Sequence, residues 1–298
     1  MIETKGLCKN FDKSTALNNV DVKIPEGSVF GVVGSNGSGK STLLRLIAGV
    51  YYADGGEILV EGENPFNNNK IKEEICYLPD TPFFLHQSNL NEMKKFYKMM
   101  YPKFNEDTFN TLGEIFKLNV KQRISTMSKG MQRKAALMLS LSTSPKYLLL
   151  DEAFDGLDPV MRKGLKSIIA ENADKNLTTV IASHNLRDLD ELCDSIAIIH
   201  NGNIIYCDEI YKLKSNIHKV QAVFKEDIKE KDLEGLNVLK TEKTGSVLSL
   251  VIKGESSDIS NRLSALNPTF LEIVEPSFEE IFIYEMEENG YDAKEILV

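Results

Sequence analysis

The run Gly34-Ser35-Asn36-Gly37-Ser38-Gly39-Lys40-Ser41 constrains this chain more than any other stretch. It fills every fixed position of the pattern G-x-x-x-x-G-K-[ST], and its flanks are those the pattern needs. Before it, Ser28 to Val33 reads as a short buried strand; after it, Thr42, Leu43, Leu44, Leu46, Ile47 and Ala48 recur at helical spacing. Such a loop turns its backbone N–H groups inward, and the helix starting near Lys40 adds the positive end of its dipole. A triphosphate fits that cup. The Lys40 ammonium would bridge the outer phosphates. The Ser41 hydroxyl would be a ligand of Mg2+, which takes one or two protein oxygens and leaves the rest to phosphate and water. The candidate phosphate site therefore runs from Gly34 through Thr42.

A second signal supports the first. Tyr147-Leu148-Leu149-Leu150 delivers Asp151 and Glu152 at the end of a buried apolar run, a poor place for two acids unless a cation lies opposite. Magnesium on the nucleotide is the expected cation, with Asp151 holding it and Glu152 facing the water that attacks the γ-phosphate. An Asp-Glu pair alone is as readily a strand ending in solvent; the phosphate loop decides between the two. His184 closes a similar run, Thr178 to Ser183, and should lie at the same carboxyl edge of the sheet, within reach of the γ-phosphate.

Around these motifs the pattern alternates strand and helix. Strand-like runs at Tyr147 to Leu150, Thr178 to Ala182 and Ile196 to Ile199 are separated by helix-like segments at Arg162 to Ala173 and Leu186 to Leu192. This predicts an α/β fold, a P-loop NTPase core with a mainly parallel sheet. Gly55-Gly56 and Gly62 bracket Ile58 to Val60 as a hairpin or sheet edge. A helical insertion is expected over about 83–143, with Asn89 and Asn105 as caps for Asn91 to Met100 and Glu106 to Phe116. The polar stretch Lys212 to Lys219 reads as a boundary. It predicts a core domain at 1–219 and a small α+β appendage at 220–298, with strands at Gln221 to Phe224 and Val247 to Ile252. Helices are expected at Asp258 to Leu266 and after Pro276-Ser277-Phe278-Glu279-Glu280.

The net charge of −9 lies beyond Val220; before it, acidic and basic side chains balance. Neither part has the excess of Lys and Arg that phosphate-backbone binding uses, so no nucleic-acid partner is expected. Met1 to Asp12 lacks the apolar core of a signal peptide, and no apolar run approaches the roughly 18 to 20 residues of a membrane span. The expectation is a cytoplasmic chain that meets a membrane only through a partner. Cys8, Cys76, Cys193 and Cys207 form no CxxC pair and read as reduced thiols.

Phosphate loops and acidic strand ends occur in many nucleotidases. The element that chooses among them is Ser128-Lys129-Gly130-Met131-Gln132, just before a helix-like run from Arg133 to Leu141. It resembles the signature motif of ATP-binding-cassette proteins, usually Leu-Ser-Gly-Gly-Gln. The order of the whole set matches that family, including Asp155-Gly156-Leu157-Asp158 after the acid pair and Ser183-His184 downstream. The resemblance covers residues 1 to about 215 and implies ATP and Mg2+ as ligands. By it, Phe11 stacks on adenine, Glu152 is the general base and His184 the γ-phosphate sensor. Ser128 and Gly130 bind the nucleotide held by the other protomer, and Asp158 crosses the dimer interface.

This chain departs from the family pattern in places. Met127, Lys129 and Met131 stand where the signature commonly has Leu, Gly and Gln. Asp80, in Tyr77-Leu78-Pro79-Asp80, occupies the position of a Gln that contacts magnesium, so a metal role passes to it; Asp155 replaces a Ser or Asn. These changes, with the closing Glu275-Pro276-Ser277-Phe278-Glu279-Glu280-Ile281-Phe282, resemble the exporter-type subgroup whose ATPase and permease are separate chains. The implied protein is a transport ATPase on the inner face of the cell membrane. Its partners would be an integral permease and a second ATPase chain, identical or paralogous.

Other readings fit less well. A chromosome-acting cassette needs a long coiled coil between the phosphate loop and the signature, where only about 90 residues lie. A translation-factor cassette carries two phosphate loops, and a small-molecule kinase has no signature. A regulatory ATPase on membrane subunits shares every motif and differs only in lacking substrate-stimulated hydrolysis.

Overall fold

Two long strands open the chain, β1 (Ile2–Phe11) and β2 (Ser14–Ile24), paired antiparallel. The sequence reading named no strand this early, and the structure shows why. Ile2 and Thr4 are buried, and then the parity switches to Leu7 and Lys9. Gly6, at φ 57°, lies within a register shift between Thr4 and Leu7, so the strand keeps its ladder but loses the period-2 pattern that would betray it.

The computed structural model describes residues 1–12, 14–173, 176–225, 228, 233–288 and 290, which divide into two units, Met1–Cys207 and Asp208–Val298. In the first unit come β3 (Val29–Val33), α1 (Lys40–Ile47), β4 (Gly55–Val60), α2 (Asn69–Lys72) and β5 (Ile75–Leu78). Helices α3 (Leu90–Met100), α4 (Glu106–Ile115) and α5 (Lys129–Ser142) follow. The chain then alternates through β6 (Tyr147–Asp151), α6 (Pro159–Ala173), β7 (Thr178–Ser183), α7 (Leu186–Asp190), β8 (Ser195–His200) and β9 (Asn203–Glu209).

The strands form two sheets. One is antiparallel, in the order β2-β1-β4. The other has six strands in the order β5-β6-β7-β3-β8-β9, and the pairs β5–β6, β6–β7, β7–β3 and β3–β8 are parallel. Its central strands are buried throughout, which is why they read as unbroken apolar runs. One core joins the sheets: Leu17, Ile24 and Val60 from the first meet Phe30, Leu149 and Ala182 from the second, with Leu43 and Leu46 of α1 among them.

Asn89 begins α3 with a capping box. Its side chain accepts from the Glu92 N–H at 3.0 Å, and the Glu92 carboxylate accepts from the Asn89 N–H at 2.9 Å. Asn105 caps α4 by accepting from the Thr108 N–H at 3.0 Å.

The second unit holds α8 (Ile210–Asn216), β10 (Ile217–Val223), β11 (Asn237–Thr244), β12 (Val247–Lys253), α9 (Ser256–Ser264), β13 (Phe270–Val274) and α10 (Phe278–Glu288). Its antiparallel sheet runs β11-β12-β10-β13, the strand order of a split β-α-β sheet. Val220, Leu250 and Ile252 pack on Ile259 and Leu263 of α9. At the start of α10, Ser277 Oγ accepts from the Glu280 N–H at 3.2 Å while the Ser277 N–H donates to the Glu280 carboxylate at 2.9 Å.

The division falls at 207/208, where the sequence reading expected 219/220. The stretch read as a polar link hides apolar contacts: Ile210, Leu213 and Ile217 are buried, and Lys219 pairs with Glu280 at 2.7 Å.

Candidate functional site

Strands β6, β7 and β3 are neighbours and parallel, so the segments leaving their carboxyl ends are neighbours too. That brings together Asp151-Glu152, His184 and the loop Gly34 to Gly39, as the sequence predicts. Two glycines of the loop are required by the protein's own backbone. A Cβ on Gly34 would lie 2.1 Å from the Ile199 carbonyl oxygen. Gly39 adopts φ 116°, and a Cβ there would meet the Ala16 carbonyl oxygen at 2.5 Å. Gly39 caps α1 with no side-chain hydrogen bond, leaving the N–H groups of the first turn for an anion. The Ser38 hydroxyl in the loop is buried with no hydrogen-bond partner.

Lys40 is buried. Its ammonium donates to the Gly34 and Ser35 carbonyls at 2.7 and 3.1 Å and lies 3.7 Å from Glu152 Oε1. Burial pulls its pKa below the ordinary lysine value, opposed by the Glu152 and Asp151 charges.

Asp151 is only 1% exposed, and each carboxylate oxygen has a donor: Ser41 Oγ to Oδ1 at 2.9 Å and the Tyr77 hydroxyl to Oδ2 at 3.0 Å. The adjacent Ser41 and Asp151 oxygens are the hard donors Mg2+ prefers, so these residues fit that ion. Burial and the Asp151 charge push the Tyr77 phenol well above its ordinary pKa, so it is a neutral donor.

Glu152 has φ 50°, an uncommon value for a residue with a side chain, and its N–H donates to the Ala182 carbonyl at 2.9 Å. Glu152 Oε2 lies 2.9 Å from His184 Nδ1 and accepts from the His184 N–H at 3.3 Å. Burial pushes the Glu152 carboxyl up; Lys40 and His184 pull it back, and Asp155 pushes it up again. Ligand atoms of Glu152, Asp155 and His184 all lie within 4.8 Å of one another. A half-buried carboxylate braced by an imidazole beside a phosphate cup is equipped to take a proton from water.

The other expected residues are placed less uniformly. Phe11 ends β1 in the antiparallel sheet, 38% exposed, its ring edge-on to Tyr51 at 5.3 Å. Beneath it the buried Lys9 ammonium lies 5.3 Å from the Phe11 ring and 4.4 Å from the Tyr52 ring, paired with Asp54 at 3.1 Å. Ser128 caps α5, its hydroxyl accepting from the Met131 N–H at 3.3 Å, and Gly130 packs against the Gly156 carbonyl. Gln132, one residue past the position where the family has its Gln, donates to the Ile124 and Met127 carbonyls at 3.1 Å and braces the turn before the helix.

Asp80 and Asp158 each have an ion-pair partner within the chain. Asp80 pairs with Arg133 of α5 at 3.0 Å, and the group that reaches Asp151 from its segment is the Tyr77 hydroxyl. Arg133, buried and cationic, is the partner that carboxylate meets here. Asp158 caps α6 by accepting from the Met161 N–H at 3.0 Å and pairs with Lys134 at 3.1 Å, both inside its own chain. Sequence reasoning missed Tyr77 and Lys9 as parts of the site. Their partners lie far along the chain, and no local pattern marks them.

Residues 17–155 match a family described as ABC transporter. The chain is 29% identical over 284 residues to the ABC transporter ATP-binding protein YtrB of Bacillus subtilis, covering 95% of this chain and 97% of that one. It is 33% identical over 211 residues to the lantibiotic transport ATP-binding protein SrtF of Streptococcus pyogenes, covering 69% of this chain and 89% of the relative. Among solved structures, an ATP binding subunit of an ABC transporter superposes with a TM-score of 0.67 at 25% identity, over 72% of this chain and 92% of the other.

Proposed function

This chain belongs to the ATP-binding subunits of ABC transporters, and from that premise we propose that it drives an exporter through nucleotide-dependent dimerisation, with its permease on a separate polypeptide. As a member of that family it binds and hydrolyses ATP. The observation that carries the reading of the site is the meeting of the phosphate loop, the acid pair and His184 at the ends of three adjacent parallel strands.

In this reading the loop from Gly34 to Thr42 holds the phosphates, and Lys40 leaves Glu152 for the outer ones. Ser41 and Asp151 would hold Mg2+, which supplies positive charge against the phosphates. Asp80, now paired with Arg133, would have to leave that partner to reach the ion. Glu152 takes the proton of the attacking water, and His184, held at Nδ1 by Glu152, presents Nε2 to the γ-phosphate. Phe11 offers its exposed face to adenine. Ser128, Gly130 and the positive end of α5 close over the nucleotide of a second protomer, and Asp158 lies at the same interface.

A transport role is supported by the likeness to a lantibiotic transport protein; the direction, export, rests on the resemblance of the 275–282 tail alone. Among the described residues no helix is long and apolar enough to cross a membrane. The place on the inner face, held by the permease, comes from the family reading alone. The first unit is the cassette and the second an accessory domain.

Mixing variants tests the shared site. Lys40→Ala and Ser128→Arg chains should each be inactive alone and regain hydrolysis when combined, because one composite site then has both intact halves. A wild-type chain that stays monomeric with ATP and hydrolyses at a concentration-independent rate per chain would overturn the dimer.

A further inference from the structure

The Asp151 side chain ends in a torsion that is broad and roughly two-fold, so a carboxylate at the end of a buried strand turns unless something stops it. Here two donors stop it, one on each oxygen: Ser41 at 2.9 Å and Tyr77 at 3.0 Å. Ser41 is itself a candidate metal ligand; a lone pair given to the ion leaves its O–H able to donate to Oδ1. Tyr77 is the hold on the other oxygen, Oδ2.

The Tyr77 hydroxyl is in turn directed. The Arg45 guanidinium lies beside it and beside the Tyr51 hydroxyl. Arginine offers only donors and an ionised carboxylate only acceptors, so a phenol that donates to Asp151 has its lone pairs left to face Arg45. Arg45 and Ser41 are four residues apart on α1 and share one face of that helix. One rigid helix therefore carries the candidate metal hydroxyl and the cation that orients the phenol. The Tyr77 ring packs against the core, so its phenol has a fixed base.

We propose that Tyr77, aligned by Arg45, is a positioning residue that holds the Asp151 carboxylate in the orientation needed for Mg2+. The proposal rests on the ATPase reading of the site. It gives Tyr77 no contact with nucleotide and no part in proton transfer.

The test uses the full chain with Tyr77→Phe, which removes one oxygen and keeps the packed ring. Affinity for a fluorescent ATP analogue is measured in EDTA and across a Mg2+ titration, Mn2+ binding with a non-hydrolysable ATP analogue is read by electron paramagnetic resonance, and the melting temperature is recorded. The expected result is an EDTA affinity within about twofold of wild type, with Mg2+ and Mn2+ half-saturation raised about tenfold, the loss expected when a charged acceptor loses a donor. In an Asp151→Asn background, Tyr77→Phe should add nothing. Unchanged metal dependence overturns the proposal, as does a parallel fall in EDTA affinity and melting temperature, or an additive effect in the double variant. Arg45→Met should reproduce part of the metal defect; full wild-type metal affinity there removes the aligning role. If wild-type chain binds the analogue no better with Mg2+ than without, the reading of the site fails; if it does and Tyr77→Phe matches it, only the positioning role fails.

Discussion

Replacing Glu152 with Gln separates chemistry from binding. The amide keeps the shape of the side chain and an oxygen that can accept from His184 Nδ1, now 2.9 Å from the carboxylate. It cannot take a proton. A positioned general base contributes about 10²- to 10⁴-fold, so hydrolysis should fall by that factor, about 3 to 5 kcal/mol of transition-state stabilisation. Binding should move the other way. Lys40 sits 3.7 Å from Glu152 and must leave it to meet a phosphate. Without that competing charge, and with solvent screening allowed for, ATP affinity should rise by about 1 kcal/mol, roughly fivefold. Single-turnover phosphate release measures the first effect and equilibrium titration with a fluorescent ATP analogue the second. Light scattering of the same variant should show dimer with ATP and monomer with ADP. Turnover within tenfold of wild type would refute Glu152 as the base, and a matching loss of affinity would mean that the side chain props up the loop.

Phe11→Ala should weaken ATP binding about 5- to 10-fold, since ring stacking is worth roughly 1 kcal/mol, and unchanged affinity in a titration would leave the ring as packing on Tyr51. Glu106 is held down to about 2 by hydrogen bonds from Lys98 and Lys94, so it gives stability that is present above 4.5 and lost as pH falls from there towards 2. Thermal melts of Glu106→Gln should therefore lie below wild type at pH 7 and converge with it by about pH 2; a constant gap would contradict the ion pairs. A chain ending at Glu209 should keep ATP affinity within about threefold, because every residue assigned to the nucleotide lies between Phe11 and His184. Loss of binding in a truncation that keeps its circular dichroism would contradict the division at 207/208.

The parts of the site that were legible are those where chemistry demands neighbours in sequence. Gly34 to Ser41 must be contiguous to curl round an anion, and Asp151-Glu152 must follow an apolar run to reach the sheet edge. The caps Asn89 and Asn105 were readable because they act within three residues. What escaped acts across the chain. Tyr77 reaches Asp151 through the sheet, Lys9 is buried in a parity that changes at Gly6, and the pull of Arg133 on Asp80 depends on how α5 packs against the end of β5. The sequence also explains the glycines by the ligand, while the structure adds close backbone approaches at Ile199 and Ala16 that would require Gly34 and Gly39 with no nucleotide present.

The base platform and the phosphate cup are built on different sheets. Phe11 ends a strand of the antiparallel sheet, whereas Gly34 to Lys40 leave the middle of the parallel one. A nucleotide lying from Phe11 to Lys40 would be a further tie between two layers already joined here by apolar packing, by the close approach of Gly39 to Ala16 and by the hydrogen bond from the Asn18 N–H to the Gly202 carbonyl at 2.8 Å. In the reading proposed above, filling the site would fasten the tip of the β1–β2 ribbon, at Phe11 and Ser14, to the central sheet, and emptying it would remove that one tie. The ribbon is in effect a gauge of occupancy.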